Sequence, residues 1–543
     1  MDAVTDRTGA VVLGAVFTRR WIADLVLDLA GYLPTDRLAT GVAIEPACGP
    51  GTFVASMAER LLESCRHHGD DIAQAVDAIV AVDIDSGAVA GSRDLVVERL
   101  THHGVPTHTA RTLARSWVRQ GDFLDIAADL PTANWIVGNP PYVRIENIDR
   151  DALHRYRARW STMTGRADIY VGFIEASLDL LSPSGRLAFI CADRWMRNQY
   201  GTKLREKVTG SFAVEACIVL HEVDAFEEKV AAYPAITVIR PGPQGSALVA
   251  EAADGFDEQT ARGLARLFTD GDLSARSVGP PLSASWTSQW FTDGSTSWPT
   301  GTPQELTLLS TLERSFRTLE QAGVSIGVGA ATGADAVYIT GQPTGVEPSR
   351  LLRSVSAREA GGDTIAWEGR FLVNPWDEDG LVELDDYPGL RSYLEAHRPR
   401  LLERHVARQP NAAWWRTIDR VKPDVARANK LLVPDLKSRI HPVLDSGEYY
   451  PMHSLAYLTS DTWDLSVLGG LLMSDIANLF VSAYSVRMAT GRLRVSAQYL
   501  RRIHLPDYDL LDPEMRAALA RAFAARDIPA ASTLARQAYG LSP

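Results

Sequence analysis

Asn139, Pro140, Pro141 and Tyr142 follow directly on a short apolar run in "WIVGNPPYVR" (135–144). A turn that ends a strand needs only one stiff residue. Here two prolines fix φ and remove two N–H donors, so the Asn139 side-chain oxygen and the Pro140 carbonyl stand as acceptors with no local competitor. Acceptors fixed before a reaction need no reorganisation during it, and Tyr142 supplies an aromatic face beside them.

Three carboxylates precede this stretch, Glu45 and Asp83 near the ends of predicted strands and Asp122 ahead of a phenylalanine. "AIEPACGPGTFVASMAERLL" (43–62) reads as an apolar strand, a turn containing Gly49 and Gly51, and an amphipathic helix, so that a ligand can approach the backbone at the helix N-terminus. The turn lacks the Gly-Lys-Ser/Thr ending of a phosphate-cradling loop, and Glu45 at the strand end suits an ammonium group rather than a polyphosphate. The next strand ends in "VAVDID", where Asp83 is placed to grip a ribose diol with two acceptor oxygens. Its 38-residue distance from Glu45 exceeds the usual ~20 residues and implies an insertion around "CRHHGDDIAQA". In "GDFLDI" (121–126), Asp122 can accept from an exocyclic amine, and Phe123 can offer its backbone and its ring.

The elements that must position these groups read as α/β. Candidate strands are 41–46, 78–84, 134–139, 185–192, 214–220 and 235–240. They alternate with helical stretches such as "IADLVLDLAGYL" and "YVGFIEASLDLL", whose apolar residues recur at three-to-four spacing. A chain of 543 residues exceeds one compact core, so two or three domains are expected. With 46% hydrophobic and 22% charged residues the composition is that of a globular protein. No apolar run approaches the ~18–20 residues of a membrane span, and the polar, acidic N-terminus does not read as a signal peptide, which makes a cytoplasmic protein the expectation. Cys48, Cys65, Cys191 and Cys217 lack the spacing of a disulfide framework or a zinc ribbon and read as reduced, buried thiols; no metal site is expected.

Taken in order, the glycine turn, the ribose-type acid, the Asp-Phe pair and Asn-Pro-Pro-Tyr resemble the class I S-adenosylmethionine-dependent amino methyltransferases. More narrowly, the chain resembles the gamma-class adenine-N6 DNA methyltransferases, type II restriction–modification enzymes in which the catalytic domain comes first and a target-recognition domain follows. "GAVFTRRWIADLVLDLA" (14–30), "ADIYVGFIEASLDLLSPSGRLAFI" (167–190) and "FEEKVAAYPAITVI" (226–239) are also similar to that family, so the likeness spans about residues 10–240. It implies a Rossmann-like mixed sheet. It also implies Thr18 at the cofactor carboxylate, although Arg19 stands where the family usually has proline. Glu45, Ala47 and Cys48 would line the methionine end of S-adenosylmethionine, with Gly49 in the cofactor-binding turn, Asp83 on the ribose, Ile84 on one face of the adenine, and Asp122 with Phe123 at its edge. The target would be an adenine flipped out of double-stranded DNA, stacked on Tyr142 with Phe226 as the other wall. Its exocyclic amine is a poor nucleophile, because the lone pair is delocalised, and the Asn139 and Pro140 acceptors would draw it pyramidal toward the methyl group.

Residues 1–243 are therefore read as the catalytic domain and 244–304, rich in Gly, Ser, Pro and acids, as a linker or boundary region. Residues 305–543 are read as an α+β target-recognition domain. The net charge is −12, yet residues 391–439 hold twelve Lys/Arg against five acids, and 476–506 hold five arginines and no acid. Arg416, Arg420, Lys422, Lys437, Arg439, Arg492 and Arg494 are the candidate DNA contacts. The interleaved Trp414, Trp415, Tyr449, Tyr450, Tyr484 and Tyr499 could stack near a polyanion. A solitary modification enzyme acting as a monomer on DNA is expected, with a separate restriction endonuclease or defence-system protein as candidate partner. The ~13 residues before the first motif are too few for a nuclease, and no well-placed PD…(D/E)xK follows. Methylation of RNA or of a protein glutamine, and a non-catalytic DNA-binding protein on the same fold, are the alternatives.

Overall fold

A computed structural model of the chain describes residues 16–228, 233–271, 280–288, 290–341, 345–409, 412–485 and 493–542. The chain divides into two compact units, Met1–Leu306 and Thr307–Pro543.

The first unit is built on a nine-stranded mixed sheet, in the order β3-β2-β1-β4-β5-β7-β6-β8-β9. Its strands are β1 (Ala43–Glu45), β2 (Ile79–Asp83), β3 (Val118–Gln120), β4 (Ala133–Gly138), β5 (Leu181–Ala192), β6 (Phe212–Val219), β7 (Pro234–Pro241), β8 (Ala247–Ala252) and β9 (Leu282–Thr287). β3, β2, β1, β4 and β5 run parallel, and β7 is antiparallel between β5 and β6. The inner strand β2 and the second half of β5 read as apolar runs because they are covered on both faces. One core joins the sheet to α1 (Arg20–Ala30) and α2 (Thr52–His68), through residues such as Ile22, Leu25, Val54 and Met57. Helices α3 (Ser86–His102) and α4 (Thr107–Trp117) extend that layer. The opposite core holds α5 (Phe123–Ile126), α6 (Arg150–Arg159) and α7 (Tyr170–Asp179), through Phe123, Tyr156 and Tyr170.

The chain leaves β1 toward β2 and β3, then crosses to β4 on the other side of β1. That reversal makes a crevice beyond the carboxyl ends of β1 and β4, where open α/β sheets bind ligands. Glu45 closes β1 and Asn139 follows β4, so the strand order sets the two chemical stretches side by side.

All six predicted strands are present. β3 is too short for its alternation to register in the sequence. The predicted insertion resolves into the C-terminal end of the 17-residue helix α2 and a short turn capped by Asp71. The expected linker at 244–304 is corrected: β8 pairs with β6 and β9 with β8, so this region completes the sheet. Its last part is also docked, since Trp298 N–H donates to the Met196 carbonyl and the buried Arg205 donates to the carbonyls of Gly294 and Thr296. Gly, Ser and Pro crowd the connections around two short strands, and composition over a window follows the connections.

The second unit is α+β, as predicted. One four-stranded antiparallel sheet takes the order Val324–Val328, Leu455–Ser460, Asn429–Pro434, Val443–Ser446, and a second contains Leu351–Val355 and Phe371–Val373. "AVYIT" (336–340), strand-like by its alternation, is mostly the helical turn Asp335–Tyr338 followed by the short strand Ile339–Thr340. "LSVLGGLLMSDIANLFVSAYS" forms two helices, Leu465–Met473 and Asp475–Tyr484, broken where the Ser474 side chain caps the second. Among the described residues no single helix is long and apolar enough to cross a membrane.

Lys430, counted in the basic segment, is a core residue. It lies opposite Asp445 in the strand ladder, and the two side chains, 0% and 1% exposed, form a 2.5 Å ion pair. Burial holds the Lys430 ammonium below its usual range, against the pull of Asp445. Lys430→Ala leaves Asp445 charged and buried and is expected to cost about 3–5 kcal/mol in chemical denaturation of this unit, whereas Lys430→Met with Asp445→Leu restores most of the loss.

Candidate active site

The glycine turn is shaped from both sides. Gly49 has φ +50° and Gly51 φ +102°, and a Cβ on Gly51 would meet Ser92 Oγ at 2.8 Å, so α2 and α3 can approach only over a glycine. Asp83 holds the turn in place: Oδ2 accepts from Gly49 N–H at 2.8 Å and Oδ1 from Asp85 N–H at 2.9 Å. Two oxygens predicted for a ribose therefore also fix the loop around it. Ala47 is half-buried and Cys48 buried, its thiol pushed up by burial and then by Glu45 and Asp83. All four cysteines are free and buried.

Glu45 is 1% exposed, and its Oε2 is buried with no hydrogen-bond partner. Burial, and then the negative charge of Asp83, pushes its carboxyl well above the usual carboxylate range. An acid in that position is costly unless a cation arrives. Two apolar side chains are exposed around the same turn: Ile84 at 57%, directly after Asp83, and Phe17 at 36%, beside Gly49. A buried acid awaiting a cation, a carboxylate at a strand end and uncovered apolar surface fit a ligand such as S-adenosylmethionine. Phe17 was missed in the sequence, where one phenylalanine ahead of a helix carries no periodic signal.

Asp122 caps α5, Oδ1 accepting from Leu124 N–H at 3.1 Å, while Oδ2 accepts from the Tyr156 hydroxyl at 2.5 Å. The Phe123 ring is 2% exposed and stacks on Phe173 at 5.3 Å, so the ring belongs to the core and the backbone is left for a ligand. Tyr156 was not foreseen, because it stands in the polar helix "RDALHRYRAR".

After β4, the Asn139 side chain donates both amide hydrogens, to the Val16 carbonyl at 2.9 Å and to Thr18 Oγ1 at 3.2 Å. Two acceptors settle which end of the amide is nitrogen. Asn139 Oδ1 is consequently aimed elsewhere, and it is buried without a partner. Thr18, predicted at the cofactor carboxylate, is 3% exposed and its oxygen receives the Asn139 amide. Tyr142 is half-buried. Its ring lies 6.5 Å from Phe226 at 79° and 6.4 Å from Tyr170. Burial, with Cys191 and Asp193 nearby, pushes its phenol well up, so it stays neutral at ordinary pH.

The cationic candidates of the second unit are less uniform. Arg416, Arg420 and Lys422 share one loop, with the Arg416 guanidinium 5.8 Å from the centre of the Trp376 ring and Arg420 donating to the carbonyls of Asp377 and Glu378. Lys437 donates to the Gly361 carbonyl at 2.8 Å. In the short ladder of Leu436–Lys437 with Leu493–Arg494, Lys437 faces Leu493 and Arg494 faces Leu436, which puts the two cations on opposite faces. Arg494 is exposed, Arg439 is half-buried with an unpartnered Nε, and Arg492 lies outside the described residues. Tyr450, Tyr484 and Tyr499, predicted as stacking platforms, are 3%, 3% and 6% exposed and are core residues.

Residues 114–226, from α4 to Phe226, match the model of the Eco57I restriction-modification methylase family. Over 546 residues the chain is 40% identical to type II methyltransferase M.PaeR7I of Pseudomonas aeruginosa, covering 100% of this chain and 94% of that one. The chain belongs to the type II DNA methyltransferases of restriction–modification systems. Type II methyltransferase M.XhoI of Xanthomonas vasicola is likewise 40% identical, with 97% of each chain covered. Among solved structures, the type IIL restriction-modification enzyme MmeI in complex with DNA shares the fold, with a TM-score of 0.60 at 12% identity, over 96% of this chain and 74% of that one. The protein is thus a methyltransferase on the class I, S-adenosylmethionine-dependent fold, and fold and family together imply that cofactor.

Glu45 sets stability against binding. Its raised folded-state pKa means that the native state loses stability as pH rises from the unfolded carboxylate value through the folded one. Glu45→Gln is expected to raise the melting temperature of the free protein above that range by about 2 °C or more. It should also weaken S-adenosylmethionine at least ~10-fold, as expected for a charge-assisted contact. Calorimetry and a thermal melt check both halves, and wild-type affinity should fall as pH is lowered and Glu45 is protonated.

Proposed function

We propose that the protein transfers a methyl group from S-adenosylmethionine to the N6 amine of an adenine flipped out of double-stranded DNA, as the modification enzyme of a restriction–modification or defence system. The observation that carries this reading is the Asn139 amide, whose nitrogen is tied to Val16 and Thr18 while its oxygen is buried without a partner. An acceptor held ready in a dry place calls for an N–H donor from the substrate.

When bound, S-adenosylmethionine supplies an electrophilic methyl group on a positively charged sulfur. Glu45 would take the ammonium, the Thr18 hydroxyl hydrogen the carboxylate, and Asp83 the ribose diol. Ile84 would cover one face of the adenine, with Asp122 and the Phe123 backbone at its edge. Across the crevice, Asn139 Oδ1 and the Pro140 carbonyl accept the two amine hydrogens of the target base and draw its lone pair out of conjugation. Tyr142, neutral and apolar-faced, stacks on the base, and this offsets the few kcal/mol of unstacking. The proton leaves from the nitrogen once it has become cationic, so the residues need only hold geometry.

The exposed Arg494, Arg420 and Lys422, with the half-buried Arg416 on the same loop as the last two, are the candidates best placed for phosphates. Lys437 serves its own backbone contact first. These assignments rest on exposure and on the family's double-stranded DNA substrate.

Sequencing of DNA from an expressing host, scored for N6-methyladenine, should find one modified motif; finding none would sink the reading. Asn139→Ala should lower kcat by ~100-fold or more, the size of losing one preorganised transition-state contact, with cofactor affinity retained. Asp83→Ala should instead weaken the cofactor, since it removes both the ribose acceptor and the clamp on Gly49, and an unchanged affinity in calorimetry would remove Asp83 from the site.

A further inference from the structure

Two segments far apart in sequence meet above the site. Phe17–Arg19 carries Thr18, which receives the Asn139 amide; Asp224–Glu227 carries Phe226, whose ring meets Tyr142 edge to face. They form a short antiparallel bridge, with Thr18 opposite Phe226, Glu227 N–H donating to the Phe17 carbonyl at 2.9 Å and Arg19 N–H to the Ala225 carbonyl at 3.0 Å. The Arg19 side chain then adds two contacts to the same segment. Nε donates to the Phe226 carbonyl at 3.0 Å, and Nη2 pairs with Asp224 Oδ2 at 2.5 Å. With the side chains 40% and 71% exposed, the ion pair by itself contributes little. What matters is convergence, since one residue donates to three consecutive residues of the Phe226 segment.

Arg19 has φ −61°, inside the proline range, and Thr18 ahead of it lies in the extended bridge that a following proline favours. Its ring, however, would stand where the N–H now donates to the Ala225 carbonyl, so proline would part the bridge as well as remove both side-chain donors.

We propose that Arg19 is a positioning residue that fastens the cofactor-side segment to the Phe226 segment, so that cofactor binding and capture of the target base are energetically coupled. Ordering either half of one bridged patch reduces the cost of ordering the other, and the coupling must be the same in both directions. The inference rests on the adenine-methylating function proposed above.

The test uses the full-length protein and the duplex motif in which sequencing finds the modified adenine, with 2-aminopurine at that position. Calorimetry gives the affinity for S-adenosylhomocysteine with and without the duplex, and 2-aminopurine fluorescence reports flipping. For the wild type, the duplex should raise S-adenosylhomocysteine affinity about fivefold or more, the lower end of ordinary coupling. Arg19→Pro, which also parts the bridge, should bring that ratio close to one and lower both kcat and flipping, while in Arg19→Ala the affinity measured without DNA changes by less than ~twofold, well short of a one-contact loss. Arg19→Ala, which keeps the N–H, should lie between, and Arg19→Lys should recover part of the ratio. A ratio undiminished in Arg19→Pro and Arg19→Ala overturns the proposal. So does a loss of affinity that is equal with and without DNA, which would mark a merely structural role. A wild type that methylates DNA but shows no coupling overturns this inference alone, whereas a wild type that modifies no DNA overturns the underlying function and this inference with it.

Discussion

The orientation of one amide organises the site. Asn139 gives both hydrogens to acceptors on the N-terminal segment, the Val16 carbonyl and Thr18 Oγ1, and so its oxygen is left buried with no partner of its own. A buried acceptor left unmade costs on the order of 1–3 kcal/mol, a cost the fold carries until a donor arrives. The rest of the first unit can be seen as the means of keeping that amide still. β4 delivers it to the switch point of the sheet, Pro140 and Pro141 stiffen the turn beyond it, and the segment ahead of α1 is bridged to the Phe226 segment so that the anchoring acceptors do not drift.

Glu45 repeats the pattern with charge. It is buried beside Asp83, lacks a donor on one oxygen, and is pushed toward its neutral form. Asp83 is satisfied by contrast, because the N–H groups of Gly49 and Asp85 supply it. One acid is tied into the scaffold and the other is left wanting a cation. The difference lies in what the backbone supplies to each carboxylate, which sequence position does not reveal.

In the second unit the same rule of burial sorts the cations. Lys430 is matched to Asp445 inside the sheet and Lys437 is engaged by a backbone carbonyl, while Arg494 stands exposed. A basic count over a window cannot separate these, because charge says nothing of which face of a strand a residue occupies. The tyrosines show the same limit, with Tyr450, Tyr484 and Tyr499 filling the core.

By itself the sequence determined the order of the chemistry. A glycine turn, an acid after the second strand, Asp-Phe and Asn-Pro-Pro-Tyr were legible because each is a local pattern, and six strands were legible as short, largely apolar runs. What only the tertiary structure decided are contacts between distant positions: Asn139 with Thr18, Arg19 with Phe226 and Asp224, and β8 and β9 closing a sheet across a stretch that reads as a linker. Local periodicity reports which face of an element is apolar. It does not report which distant group will meet that face, and here it is those meetings that aim the Asn139 oxygen, leave Glu45 Oε2 without a donor and bury Lys430.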